Sequence, residues 1–431
     1  MGQYIVEATN NRDKQMNKSK AADFAKKLAF PRMVGTVGEL RARDWIEQQL
    51  RGFGYAPQRR DFRFYPYLAF QALKDGLWLI AALLVVQRLL SPLYPAATAW
   101  LGLAIWPLAL YLNRLWKRYA RDKFVDHSDR FRVWKRFRPE IGIGIASSNV
   151  EVTLHRPPQP TATVYLMAHY DSKSQNISIV TRIVAAILSL VGIAMLPALH
   201  LVGYLAPSLG HATVFLVVYR VLFWLTLVAL VMLALLRVEN SSPGALDNAP
   251  SCGILLEIAQ DFVENKQELP QHLEIHAVFT GAEEIGLAGA EALLWDNRES
   301  WQNREVYVLN IDGAGVSQRH SVTAATGLRS ASGKSSVDMI DAVSTAAQTL
   351  SLPLRVVTGI IGGEADHIPF NQAGIPAVSL QSYGLAATAI HTARDTIDRL
   401  DETGLAQSTA LVKETLRILD NRVAKGGGDG A

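Results

Sequence analysis

Two stretches of this 431-residue chain are too apolar for the surface of a water-soluble domain, and everything else must fold around them. The first pairs Leu77 to Leu90 with Tyr94 to Leu112, joined by the tight link Ser91-Pro92-Leu93. Extending it back over Tyr67 to Ala72, with Lys74 and Asp75 snorkelling or facing a bundle, gives two crossing segments, the second kinked at Pro107. The second stretch pairs Ile177 to Leu199 with Ala212 to Leu236. A bilayer core needs about 20 apolar residues per helix. The expectation is therefore two transmembrane helical hairpins; the competing reading is a set of helices buried in a large soluble core. Arg182 and Arg220 interrupt the second stretch, and an intramembrane arginine must face the bundle or reach an interface.

The hairpins divide the chain into an N-terminal part of an α/β domain (1–66), hairpin 1 (67–113), a middle part (114–176), hairpin 2 (177–237) and a C-terminal part (238–431). Between Arg114 and Arg138 the basic residues Arg114, Lys117, Arg118, Arg121, Lys123, Arg130, Arg132, Lys135, Arg136 and Arg138 form a belt, read either as a contact for anionic lipid headgroups or as a solvated helix face. The balance of 43 basic and 39 acidic residues makes no case for nucleic acid. Cys252 is the only cysteine, which excludes an intrachain disulfide and a cysteine-based zinc knuckle. Met1 to Lys20 is polar, without the apolar core of a cleavable leader.

Outside the hairpins the pattern alternates helix and strand. Helical periodicity runs through Ala21 to Gly54, broken at Pro31-Arg32, and Arg59 to Tyr67 reads as an edge strand. Asn149 to Leu154 and Thr161 to Met167 read as paired strands about Pro157-Pro158-Gln159-Pro160. Further on, Leu273 to Phe279, Val306 to Ile311 and Ala377 to Leu380 read as strands. Ile254 to Phe262, Ala288 to Leu294, Val337 to Leu350 and Thr403 to Leu419 read as helices. The implied fold class is α/β: a mostly parallel central sheet flanked by helices, with the two hairpins inserted.

The chemistry concentrates in Phe279-Thr280-Gly281-Ala282-Glu283-Glu284-Ile285-Gly286-Leu287, an apolar strand ending in two carboxylates. Neighbouring side chains at a strand end diverge, so one glutamate can bind a metal while the other takes a proton from water. Alone, the pair would be a solvated helix start. Four more residues of ligand type occupy similar strand-end contexts: His169 in Ala168-His169-Tyr170-Asp171, Asp247 in Gly244-Ala245-Leu246-Asp247-Asn248-Ala249, Asp312 in Asn310-Ile311-Asp312-Gly313, and His391 in His391-Thr392-Ala393-Arg394-Asp395. Imidazole with carboxylate suits zinc, and a shared carboxylate with two further ligands per ion suits two ions ~3.5–4 Å apart. Asp171, two residues past His169, stands where a carboxylate orienting an imidazole belongs.

This order of residues resembles the zinc aminopeptidase family of clan MH, which includes bacterial leucyl aminopeptidases, glutamate carboxypeptidase II and glutaminyl cyclase. The resemblance implies two Zn2+ per chain: His169 and Asp312 on one, Glu284 and His391 on the other, with Asp247 bridging. It makes Glu283 the general base and Asp171 the partner of His169. Asp366 and His367, in Ala365-Asp366-His367-Ile368-Pro369-Phe370, fall on the family's substrate-pocket loop. Where relatives place a tyrosine before that pair this chain has Gly362-Gly363, leaving Tyr383 or Tyr170 as the oxyanion donor. Two further departures are the hydrophobic segment between His169 and Asp247 and the Pro250-Ser251-Cys252 run.

Since His169 and Asp247 must meet, the chain between them crosses the membrane an even number of times. Basic residues on the α/β side of the hairpins put that domain in the cytoplasm of a multi-pass membrane protein. The function implied is peptide hydrolysis, most simply by an aminopeptidase. The alternatives are a glutaminyl-cyclase-like acyltransferase and a non-enzymatic membrane scaffold.

Overall fold

A computed structural model describes residues 19–210, 212–324, 334–358 and 364–426. The residues read as lacking a leader up to 18, Gly362-Gly363 and the glycine tail from 427 lie outside them. The chain separates into two compact units. One takes the described parts of 1–62, 146–174 and 238–431; the other takes 63–145 and 175–237, so residues 114–145 fall with the hydrophobic helices.

In the first unit, helices α1 (Lys20–Leu28) and α2 (Val37–Gly52) lead into strand β1 (Gln58–Phe64). Ser19 caps α1, accepting from Ala21 N–H at 3.2 Å. The spans of the second unit, α3 (Tyr67–Leu90) and α4 (Pro95–Arg121), come next in the chain, followed by β2 (Ile145–His155) and β3 (Ala162–His169). After the second pair, α5 (Ile179–Leu205) and α6 (Thr213–Ala234), the chain supplies α7 (Ala249–Glu264), β4 (Leu273–Thr280), α8 (Ala288–Trp301) and β5 (Glu305–Ile311). It then adds β6 (His320–Thr323), α9 (Lys334–Thr349), β7 (Leu354–Val356), α10 (Ile368–Gln372), β8 (Ala377–Ser382) and α11 (Glu402–Gly426).

These form one eight-stranded sheet in the order β1-β2-β4-β3-β5-β8-β6-β7. The centre is parallel: β3 pairs with β4 and β5, and β5 with β8. β2 joins β4, and β6 joins β8, in antiparallel fashion. β3 is buried along its whole length, as a strand covered on both faces must be. Val164, Leu166 and Ala168 pack on α1, α2, α7, α9 and α11 residues. Tyr165 and Met167 pack on the other face with Leu293, Trp301 and Phe370.

One expectation is corrected here. β2 and β3 are not paired, because β4 lies between them. The connection therefore spans two strand spacings, ~10 Å, rather than one. Proline-rich chain is extended and suits that reach better than a tight turn. The polar β6 and the short β7 gave no alternating pattern and were not anticipated.

In the second unit α3 packs on α4 and α6, and α5 on α4 and α6. Ile80, Leu84, Ile105, Leu196, Phe223 and Leu230 meet inside. Gly192 permits close approach: a Cβ there would stand 1.9 Å from Thr226 Oγ1. Gln87 donates to Thr98 O at 3.2 Å, and the Thr98 hydroxyl meets His200 Nε2 at 3.1 Å. By length and composition all four helices can cross a membrane. α4 continues through Arg114 to Arg121, so part of the basic belt is helical. Arg182 lies in the first turn of α5, bonded to Gln175, and Arg220 is exposed on α6. Neither charge is sealed inside the bundle.

Candidate metal centre

Because the central strands are parallel, their C-terminal ends share one edge, and β4 and β5 leave β3 on opposite sides. That divergence opens a crevice. His169 ends β3, Asp312 follows β5, and the Glu283-Glu284 turn follows β4. Asp247 precedes α7, and His391 follows β8.

The turns that aim these side chains are tightly held. A Cβ on Gly281 would stand 2.4 Å from Ser147 Oγ and 2.7 Å from Ser148 O, so only glycine fits. Ala282 (φ 58°) and His391 (φ 59°) occupy the left-handed region without being glycine, the kind of local strain that collects at functional sites. The Asp171 carboxylate accepts from Glu283 N–H at 3.1 Å and Glu284 N–H at 3.2 Å. Its Oδ1 is 3.6 Å from His169 Nδ1, and its carbonyl is 3.2 Å from that nitrogen. Asp171 thus lies against the His169 imidazole, its carbonyl within hydrogen-bond distance, and its carboxylate holds the glutamate turn.

Asn248 ties the Asp247 loop to Asp312: its amide donates to Ile311 O at 2.9 Å and accepts from Gly313 N–H at 3.1 Å. Asp395 accepts from Leu246 N–H at 2.7 Å, and burial pushes its carboxyl up to about 7. Cys252, in the departing Pro250-Ser251-Cys252 run, puts its thiol 3.2 Å from His169 O.

The five expected ligands converge. His169 Nε2 is 3.1 Å from Asp247 Oδ1 and 3.7 Å from Asp312 Oδ1. His391 Nε2 is 3.0 Å from Asp247 Oδ2 and 3.1 Å from Glu284 Oε2. They form two triplets, His169–Asp247–Asp312 and Asp247–Glu284–His391, each with its donor atoms within 4.8 Å of one another. Asp247 belongs to both, one oxygen to each. Glu283 belongs to neither, and its Oε2 stands 3.9 Å from His169 Nε2.

The electrostatics fit a cation site. Burial raises Glu283 well above the usual carboxylate range, with Glu284, Asp312 and Asp366 adding to it against His169. Burial would also raise Asp247 and Glu284, but the imidazoles reverse this. Asp247 falls well below its usual value, and Glu284, with Lys173 helping, falls to about 2. Burial would lower both imidazoles; the carboxylates instead lift His391 to about 9 and His169 well above its ordinary value. Such protons are what metal ions displace on binding. Two imidazoles and three carboxylates in overlapping triplets are a donor set that fits zinc.

Asp366 and His367 are wholly buried. Asp366 accepts from the Thr280 hydroxyl, and burial lifts it to about 7. Its charge is near enough to Glu283 to help raise that carboxyl. The Tyr383 main-chain N–H bonds Arg319 O at 3.0 Å, and its carbonyl accepts from the Ser317 hydroxyl at 2.8 Å. The Tyr170 hydroxyl donates to Ser148 O at 2.7 Å, so its proton is already committed. Lys173, 2.8 Å from Glu284 Oε2, and Arg32 escaped the sequence reading. The signal for Arg32, a charge in the apolar turn Phe30-Pro31-Arg32-Met33, looks like any exposed loop arginine.

Residues 229–416, which carry four of the five ligands and Glu283, match the family model described as Peptidase family M28. Over 176 residues the chain is 28% identical to the aminopeptidase YwaD of Bacillus subtilis (strain 168), a stretch that takes in 40% of this chain and 36% of that relative. Two solved structures share the fold. The aminopeptidase of Aneurinibacillus sp. strain AM-1 is 14% identical, with 94% of this chain and 95% of that one covered, at a TM-score of 0.52. The glutaminyl cyclase of Macrostomum lignano is 14% identical, with 95% and 91% covered, also at 0.52. The chain thus resembles zinc aminopeptidases, the M28 match lying in its residues 229–416.

Proposed function

We propose that the protein is a membrane-anchored di-zinc aminopeptidase, within the class of zinc-dependent peptidase hydrolases that the M28 match indicates. The observation that carries it is the pair of donor triplets sharing Asp247, with Glu283 beside them and outside both. His169 and Asp312 would hold one ion and Glu284 and His391 the other, with Asp247 available to both. Zinc, when bound, polarises a carbonyl and acidifies water. Glu283 accepts the proton of the water that attacks the peptide carbonyl carbon. It then passes that proton to the leaving amine nitrogen as the C–N bond breaks. Asp171 keeps Glu283 in place by holding its main chain.

The membrane reading rests on the four spans and on nine belt residues, all but Lys123, being exposed where anionic headgroups can meet them. It places the α/β unit on the cytoplasmic side. The test is zinc analysis of detergent-purified protein together with hydrolysis of aminoacyl reporters and their N-acetylated forms. The expected result is about two zinc per chain, chelator-sensitive turnover, and no turnover of blocked substrates. One zinc with cyclisation of N-terminal glutamine would install the acyltransferase instead, and neither metal nor turnover would leave a scaffold.

A further inference from the structure

Arg32, in the link between α1 and α2, exposes none of its surface. Its guanidinium is spent on main-chain carbonyls. Nε donates to Tyr170 O at 2.7 Å; Nη1 to Pro243 O at 2.7 Å, to Phe30 O at 2.9 Å and to Leu28 O; Nη2 to Gly244 O at 3.1 Å. Among the described residues no carboxylate is within ion-pair distance of it. The main chain adds a second tie: Arg32 N–H donates to Ser172 Oγ at 3.0 Å, and Ser172 N–H to Arg32 O at 3.2 Å. The Ser172 hydroxyl in turn donates to Ser242 O at 3.2 Å.

The partners identify what the fork holds. Tyr170 is the residue after His169, and Gly244 lies three before Asp247. Gly244 has φ 61°, and a Cβ there would stand 2.6 Å from Arg32 Nη2 and 2.7 Å from Asp247 O, so the junction has no slack. His169 and Asp247 must stay 3.1 Å apart, yet hydrophobic segment 177–237 separates them in sequence. No short covalent link sets their spacing. A buried arginine without a carboxylate partner is costly, and packing alone would be served by an apolar side chain. The charge also lies within electrostatic reach of Asp395, Asp171 and Asp247.

We propose that Arg32 is a positioning residue of the metal centre: its guanidinium clamps the His169 loop to the Asp247 loop and so sets zinc affinity. The inference rests on the two-zinc reading and deepens it.

The test is competitive zinc titration of full-length metal-stripped protein against a chromophoric chelator, with cobalt spectra alongside. Arg32→Gln should weaken zinc about 10–100-fold, the range for residues that support metal ligands, and alter the cobalt spectrum. Arg32→Lys, which keeps the charge and loses the planar fork, should fall between. Leu50→Ala, a core truncation elsewhere in the unit, should lower the melting temperature yet bind zinc normally. Wild-type zinc affinity in Arg32→Gln, or an equal loss in Leu50→Ala, overturns the proposal. Should both Arg32 variants fail to fold, Ser172→Ala decides: a several-fold loss is expected, and unchanged affinity overturns it. A wild-type protein that binds no zinc would sink the two-zinc reading itself, a separate outcome.

Discussion

The two units of this chain handle polar and apolar groups in opposite ways. The α/β unit buries Arg32, His169, Asp171, Asp247, Glu283, Glu284, Asp366, His391 and Asp395 close to one another. The helical unit turns Trp100, Leu190, Val214 and Trp224 outward, each more than 60% exposed. Among the described residues, the polar groups buried within its four long helices are uncharged: Gln87, Thr98, Ser189 and Thr226. Left in water, each outward side chain forgoes about 1.5–3 kcal/mol of burial; facing lipid, it forgoes nothing. Burying six carboxyls and two imidazoles together is also unfavourable without a cation to compensate them. The proposed function answers both: lipid around the apolar helices and metal among the buried carboxylates and imidazoles.

The strongest test of the metal side is Asp247→Ala. Both triplets share this residue, so zinc content should fall close to zero and activity with it; retention of both ions by atomic absorption would break the shared-ligand geometry. Next is Glu283→Gln, expected to lower kcat on the order of 10²–10⁴-fold with zinc content kept. An inactive variant that has also shed its zinc would make Glu283 a ligand.

The solvent contrast is sharpened by a matched pair. Leu190→Asp should cost about 3 kcal/mol of insertion if that face meets lipid, read as loss of carbonate-resistant protein. Leu40→Asp, on the exposed face of α2, should stay within about 0.5 kcal/mol. Equal effects would erase the distinction between the units.

A pH-dependent effect concerns Glu39, buried with its carboxylate accepting from Gly35 N–H at 2.6 Å and from the Ser147 hydroxyl. Burial raises it to about 7. The folded state then holds a proton that the unfolded state releases near 4.5, so this group's contribution is full below that pH and is lost as pH rises to about 7. The loss is at most about 3 kcal/mol. Glu39→Gln should flatten that part of the stability–pH curve; an unchanged slope in chemical denaturation would show that Glu39 is not its source.

Much of the centre was legible residue by residue. His169, Asp247, Glu284, Asp312 and His391 each stand at or just past the end of an apolar run, and local pattern reports where a strand gives out. The hydrophobic helices were legible for the same reason, since length and composition are local properties. The pairing of β2 and β3 was not: which strand slides between two others depends on contacts more than a hundred residues away, as in Val150 opposite Phe279. Asp366 was recognised as belonging near the site but not as a buried neighbour of Glu283, because burial is decided by what packs over a loop.

The sequence by itself determined the α/β alternation, the lengths and apolarity of the four helices, and the types of side chain available to a metal. Each of these is written in periods of a few residues. Only the tertiary structure decided that one oxygen of Asp247 faces each imidazole, that Asn248 brackets Asp312, and that Arg32 lies between the His169 and Asp247 loops. Those relations join segments separated by 63 to 212 residues. They exist only once the parallel strands bring their ends to one edge.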